Sequence, residues 1–327
     1  MADTHTAAVL HGAQDMRIET RTTTSPKPDE VQIRIRATGI CGTDMHYYQA
    51  GKNGMFVVRQ PLVPGHEAAG EIVAVGNNVQ HFQVSIQELY NHPAGFVHKI
   101  PDNISFEEGA LLEPLSVSLH AVRRSGVGVG QSVLVLGAGA VGLLCASLAQ
   151  SAGASRVVIA DIDQARLGFA LGRNGAQRAV ATASYMIDPA RAKDLKEDFA
   201  KQIAREIIQS EGSGAADIVF ECTGVESCCN IAINCAAPGR KAVLVGMGSP
   251  MQSLQIGAAA AREIDLLAVW GYANTFPTAI RLVQSAQVPL KQLVTQIFDL
   301  RDAEKALKTV LSKPADLIKC VISLGKH

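Results

Sequence analysis

The chain has 327 residues, with 30 lysines and arginines balanced by 30 aspartates and glutamates. That length exceeds one ordinary core and suits two domains, and the charge balance leaves no overall field to draw nucleic acid or an anionic membrane surface. No apolar run reaches membrane-spanning length, and the N-terminal residues lack a basic segment followed by an apolar one, so a cytoplasmic protein acting on a small molecule is expected. The seven cysteines are scattered and odd in number, which argues against a disulfide framework and for a reducing compartment.

Residues 31–37 alternate apolar and polar with period two and predict a strand with one wet face, opening the first domain with antiparallel β-structure. Gly39 to Gly54 is a loop-rich stretch carrying Cys41, Thr43, Asp44, His46, Tyr47 and Tyr48, and the adjacent His66 and Glu67 follow Pro61 and Pro64. Another short strand is expected over 71–76, and a helical stretch containing Glu113 begins at Phe106. From about Gly126 to Trp270 strands and helices alternate, as a parallel sheet covered on both faces requires. The expected strands are 132–136, 156–160, 217–220 and 241–245, and Leu195, Phe199, Ile203 and Ile207 mark one face of a scaffold helix over 195–208. The last 55 or so residues mix helix and strand with no sheet of their own, so they are expected to return to the first domain. Repeats and low-complexity segments are absent.

The apolar run Val133 to Leu136 breaks into Gly137, Gly139 and Gly142 and reopens as a small-residue helix. Gly137 would permit a tight turn, Gly139 a close approach of diphosphate, and Gly142 close packing of helix on strand, with the helix N-terminus facing the phosphates. A second apolar run ends in Asp161, 19 residues after Gly142, where a carboxylate can accept hydrogen bonds from the adenosine ribose. Ile162 and Asp163 follow, so no cation awaits a 2′-phosphate, and NAD is favoured over NADP.

Cys41, His66 and Glu67 offer a thiolate, an imidazole and a carboxylate, three groups able to hold zinc with a fourth position open. Spacing alone does not separate such a site from a chance pairing in a loop. The words Gly39-Ile40-Cys41-Gly42-Thr43-Asp44-Met45-His46-Tyr47-Tyr48, Pro64-Gly65-His66-Glu67-Ala68-Ala69-Gly70, Glu108 to Val117, the glycine turn and Tyr272-Ala273-Asn274-Thr275-Phe276-Pro277 do more. With them the chain resembles, over nearly its whole length, a zinc-dependent medium-chain dehydrogenase of the sorbitol (polyol) dehydrogenase branch.

The resemblance implies a GroES-like antiparallel β catalytic domain over 1–122 and 269–327 and a doubly wound Rossmann domain with a parallel sheet over 123–268, an α/β protein. It also implies that Cys41, His66 and Glu67 ligate one catalytic zinc, with Glu113 reaching the metal directly or through its water. Thr43 and His46 map onto a proton relay, although His46 reads equally as a solvated loop histidine. Asp44 matches a carboxylate that orients His66, or else closes an Asx turn. Tyr47 either lines the substrate pocket or packs. On the nucleotide side Arg166 either reaches the ribose or lies on a helix surface, and Thr223, Val245 and Met247 match loops over which NAD extends. Zinc would act as a Lewis acid on a secondary hydroxyl whose hydride passes to the nicotinamide. A polyol such as sorbitol, xylitol or arabinitol is the expected substrate, and a homo-oligomer is possible because relatives are commonly tetramers.

Two departures stand against the resemblance. Between Gly76 and Phe96 the family carries a lobe with four cysteines around a structural zinc, after a Gly-Asp-Arg-Val strand; here both are missing, the chain is shortened near 84–90, and no structural zinc is expected. Loss of a strand should leave unpaired edges and exposed apolar surface. Gly271 stands where the polyol branch usually has a substrate-contacting arginine, while Trp270 next to it either narrows the pocket or is core. Two other readings therefore stay open. One is a sugar-acid dehydrogenase of the L-idonate type, with Lys52 or Arg59 as the cation for a carboxylate. The other is a non-catalytic NAD-binding relative whose metal cleft does not assemble.

Overall fold

The computed structural model describes residues 3–54, 56–79, 89–174, 176–191, 199–210 and 214–324. The chain divides into two units, one comprising 1–113, 276–286 and 293–327 and the other 114–275 with 287–292.

The first unit opens with the antiparallel hairpin β1 (Asp3–Gly12) and β2 (Asp15–Thr23) and continues through β3 (Glu30–Gly39), whose alternating sequence buries Val31, Ile33 and Ile35. Helix α1 (Gly42–Ala50) and the short pair β4 (Lys52–Asn53) and β5 (Phe56–Val57) lead to β6 (Glu67–Val75) and β7 (Leu89–Pro93). β3 pairs antiparallel with both β6 and β7. Helices α2 (Phe106–Ala110) and α3 (Leu112–Ser125) follow; α2 starts on a capping box in which Ser105 and Glu108 exchange hydrogen bonds, closing backbone donors that a helix start leaves open.

The second unit holds a six-stranded parallel sheet built from β8 (Ser132–Leu136), β9 (Arg156–Asp161), β10 (Ala183–Met186), β11 (Ala216–Glu221), β12 (Ala236–Leu244) and β13 (Asp265–Ala268). Its order is β10-β9-β8-β11-β12-β13, the doubly wound arrangement whose connections reverse direction between β8 and β11. The strands are apolar along their length because helices cover both faces. Among those helices are α4 (Ala140–Ser151), α5 (Gln164–Ala170), α6 (Phe199–Gln209), α7 (Glu226–Cys235) and α8 (Ile256–Ala260). α6 buries Phe199, Ile203 and Ile207 at the spacing read from the sequence, while Leu195 lies outside the described residues.

The C-terminal residues rejoin the first unit through α9 (Phe276–Gln284), β14 (Val294–Asp299), α10 (Ala303–Ser312) and β15 (Lys319–Ser323). β15 pairs with β14 and, antiparallel, with β3, completing the order β14-β15-β3-β6 with β7 also on β3. Among the described residues β6 hydrogen-bonds only to β3, and its Ile72, Val73 and Val75 are 40%, 38% and 54% exposed. Beside it runs a cavity of about 840 Å³ bounded by Ala68 to Gly70 and the 97–106 segment. The apolar edge expected from the shortened stretch is therefore present; residues 80–88 lie outside the described residues. No described helix is long and apolar enough to cross a membrane.

On α6, Glu206 accepts paired hydrogen bonds from Arg191 at 2.8 and 2.7 Å and one from the Tyr185 hydroxyl at 2.5 Å. Arg191 first, then Tyr185, holds this carboxyl down at about 2. A carboxyl depressed in the folded state stabilises above its ordinary value of 4.5 and loses that contribution as pH falls through about 2. Arg191→Gln should therefore lower the melting temperature at neutral pH, with the gap from the native chain closing between pH 4.5 and about 2. A gap constant across that range in calorimetric scans would contradict this.

Candidate metal and dinucleotide sites

The metal-ligand candidates converge through the register of the first unit's sheet. Gly39, the last residue of β3, lies opposite Glu67 on β6 and opposite Val321 on β15, so the chain leaving β3 delivers Cys41 beside Glu67. Cys41 is the N-cap of α1, and His66 immediately precedes β6. One ligand atom from each of Cys41, His66 and Glu67 lies within 4.8 Å of the others, the one such group of three found among the described residues. Burial is graded across the cluster: Glu67 is buried, Cys41 half-buried and His66 exposed.

Asp44 ties the two ligand-bearing segments together. Its Oδ2 accepts from the Cys41 backbone N–H at 2.9 Å and its Oδ1 from the Gly65 N–H at 3.0 Å, with His66 Nδ1 3.9 Å away. The carboxylate thus clamps the main chain beside both ligands; at 3.9 Å it makes no hydrogen bond to the imidazole. Burial pushes the Asp44 carboxyl up, opposed mainly by His66. Burial, then the negative Glu67, pushes Cys41 up to about 12 and Glu113 up to about 8, so Glu113 shares this electrostatic neighbourhood.

Sequence reasoning missed Lys319. Its buried ammonium donates to Glu67 Oε1 at 2.6 Å and lies 2.5 Å from Oε2, although the latter contact lacks hydrogen-bond geometry. Burial opposes the charge, but Glu67 and Cys41 hold the Lys319 pKa above its ordinary value. A lone lysine 252 positions away carries no sequence signal for this pairing; only the β15-β3-β6 register creates it. Gly39 makes the room, since a Cβ there would sit 2.2 Å from Glu67 Oε2 and 3.1 Å from Lys319 Cε.

The other candidates divide. Thr43 is half-buried in the first turn of α1 and its backbone N–H faces the Cys41 sulfur. His46 is exposed, with Nδ1 3.1 Å from the Asn53 side chain. Tyr47 packs against the cluster formed by Leu10, Met45, Tyr48 and Leu307, which is the packing alternative. Trp270 is 69% exposed and therefore not core, and Gly271 has φ +56° with open space where a side chain would project.

In the second unit the glycine turn has a separate reason for each glycine. Gly137 has φ +100°, which a side chain rarely tolerates. A Cβ on Gly142 would lie 1.8 Å from the Gly137 carbonyl, so α4 could not pack as it does, whereas a Cβ on Gly139 meets nothing within 4 Å. Asp161, at the end of β9, is already oriented: Oδ2 accepts from the Ala138 N–H at 2.5 Å and Oδ1 from the Asp163 N–H at 2.9 Å. Arg166 on α5 lies 3.9 Å from Asp163, and its buried Nε has no hydrogen-bond partner. Thr223 and the Val245–Met247 segment follow β11 and β12, and Met247 is exposed. The Thr223 hydroxyl donates to Glu221 and accepts from the Val225 N–H, so its internal bonds already use its proton.

Comparison with known proteins fits this geometry. The sequence profile of zinc-binding dehydrogenases matches residues 140–285, and that of the alcohol dehydrogenase GroES-like domain matches 27–87. Sorbitol dehydrogenase of Bos taurus is 37% identical over 347 aligned positions, covering 92% of this chain and 91% of the relative. The Homo sapiens sorbitol dehydrogenase is 35% identical with the same coverage. An alignment longer than the 327-residue chain means that the relatives have residues with no counterpart here. Among solved structures, an Escherichia coli oxidoreductase/dehydrogenase of unknown specificity superposes with a TM-score of 0.83 at 27% identity, covering 99% of this chain and all of its own. The chain belongs to the zinc-dependent medium-chain dehydrogenases and is an oxidoreductase, with a GroES-like antiparallel unit and a Rossmann sheet. Within that family it is sorbitol-dehydrogenase-like.

Removing one member of a buried ion pair leaves the other charge uncompensated. Lys319→Met should therefore destabilise the first unit by about 3–5 kcal/mol in denaturant unfolding. Adding Glu67→Gln should recover most of the loss; equal stability of the single variant and the native chain would show that the pair does not hold the site.

Proposed function

We propose that this chain oxidises a secondary hydroxyl of a polyol to the ketone, with NAD as hydride acceptor and one zinc held by Cys41, His66 and Glu67. The observation that carries the reading is the convergence of a thiol, an imidazole and a carboxylate within 4.8 Å in a chain 37% identical to a sorbitol dehydrogenase. The donor set suits zinc, since sulfur, nitrogen and oxygen ligands with one exposed side describe a three-ligand site with a position left open. When bound, zinc supplies a Lewis acid to the hydroxyl oxygen, and NAD supplies the hydride acceptor.

The residues of the chain carry the remaining work. Asp44 holds the Cys41 and Gly65 main chain, which fixes the spacing of the thiol and the imidazole. Lys319 balances the charge of Glu67 inside the fold. Thr43 and His46, successive along the first turns of α1 from the half-buried to the exposed side, are the proposed route by which the hydroxyl proton reaches water. Glu113, whose pKa is pushed up to about 8, is the proposed partner of the ligand water. In the second unit Gly137, Gly139, Gly142 and the fixed carboxylate of Asp161 support binding of the diphosphate and the adenosine ribose, with Arg166 offering a buried donor and Thr223, Val245 and Met247 lining the remaining path. Ile162 and Asp163 follow Asp161, so no cation directly after it awaits a 2′-phosphate, which favours NAD over NADP.

Two measurements test the reading. Purified chain should contain about one zinc per molecule by elemental mass spectrometry, and Cys41→Ala should lose it. Zinc-loaded chain should then reduce NAD in preference to NADP with sorbitol, xylitol or arabinitol. Activity confined to aldonates would move the assignment to a sugar acid, and zinc-free protein that still binds NAD would remove the metal from the site.

A further inference from the structure

β11 ends in Glu221, a fully buried carboxylate that the cofactor reading above leaves without a role. Its Oε1 accepts from the Thr223 backbone N–H at 2.7 Å and from the Thr223 hydroxyl, and the Gly224 N–H faces both oxygens, at 3.1 and 3.0 Å. The Cys229 thiol also hydrogen-bonds to it. Two of these donors are backbone N–H groups, which cannot turn round to accept. Burial pushes the Glu221 carboxyl up from its ordinary value, and the bonds from Thr223, Gly224 and Cys229, all made to the carboxylate form, oppose that rise. Among the described residues no lysine or arginine pairs with Glu221. Both of its oxygens are held by hydrogen-bond donors rather than by a cation.

The same residue fixes two loops. Its carbonyl accepts from the Val245 and Gly246 N–H groups at 2.8 and 2.9 Å, while its side chain holds Thr223 and Gly224. The loops meet backbone to backbone: a Cβ on Gly246 would lie 2.1 Å from the Gly224 nitrogen, and one on Gly224, at φ +73°, 2.4 Å from the Met247 carbonyl carbon. The sheet order puts these loops on a defined half of the cofactor. The glycine turn follows β8, and the ribose-oriented Asp161 ends β9 on one side of it. β11 and β12 lie on the other side, where the nicotinamide half of a dinucleotide extends.

We propose that Glu221 is a positioning residue for the nicotinamide half of the cofactor and that its buried negative charge favours the oxidised, positively charged nicotinamide over the reduced, neutral one. The inference rests on the NAD reading. At an effective dielectric constant of about 20, a unit charge on the order of 10 Å from a ligand's charge changes its binding by roughly tenfold.

The test uses zinc-loaded full chain, with NADH titrated by fluorescence and NAD by calorimetry, for the native chain and Glu221→Gln. The glutamine should weaken NAD about tenfold more than NADH, raising the ratio of their Kd values. Equal weakening of both forms would reveal a merely structural role, and unchanged Kd values would remove any role; either overturns the proposal. If Glu221→Gln does not fold, Thr223→Val and Thr223→Ser replace it. Loss of the hydroxyl should weaken NAD more than NADH and serine should restore the native ratio, while a native ratio of the two Kd values in the valine variant overturns the proposal. A native chain that binds neither form overturns the NAD reading itself, and this inference with it.

Discussion

The buried pairing of Lys319 with Glu67 is the interaction on which the candidate metal site turns. It needs three strands at once: β15 brings the ammonium, β6 the carboxylate, and β3 between them ends in the one residue small enough to let the two meet. A carboxylate cannot be buried uncompensated, so Glu67 reaches the cluster only because the C-terminal residues rejoin the first unit's sheet. Burial is graded across the cluster, from buried Glu67 through half-buried Cys41 to exposed His66.

In the second unit the buried carboxylates of Asp161 and Glu221 are both fixed by main-chain donors. Carboxylates fixed in this way cost little to reorganise on binding. The tight contact of Gly224 with Gly246 and Met247 joins two loops into one surface, so a change in either is felt by both.

The departures from the family also acquire a physical form. Among the described residues β6 has exposed apolar side chains and a cavity beside it, although the start of the same strand, with Glu67, is paired to Gly39. Edge exposure is thus confined to the far end of β6 and spares Glu67. At Gly271 the backbone is left-handed, a conformation that residues with a side chain rarely adopt.

Local sequence determined much of this protein. Period-two alternation marked β3, the spaced glycines and Asp161 marked the dinucleotide turn, and helical spacing marked α6, because each is a property of neighbouring residues. The words around Cys41, His66 and Glu113 marked the candidate metal residues only through family resemblance, as their spacing alone was uninformative. Tertiary structure decided what depends on register between distant strands. Lys319 meets Glu67, Asp44 bonds to backbone rather than to the imidazole, Tyr47 packs and Trp270 is exposed. Glu221 is buried among donors that come from the turn after β11 and from α7. Such pairings follow from which strands lie side by side, and a one-dimensional pattern does not contain that order.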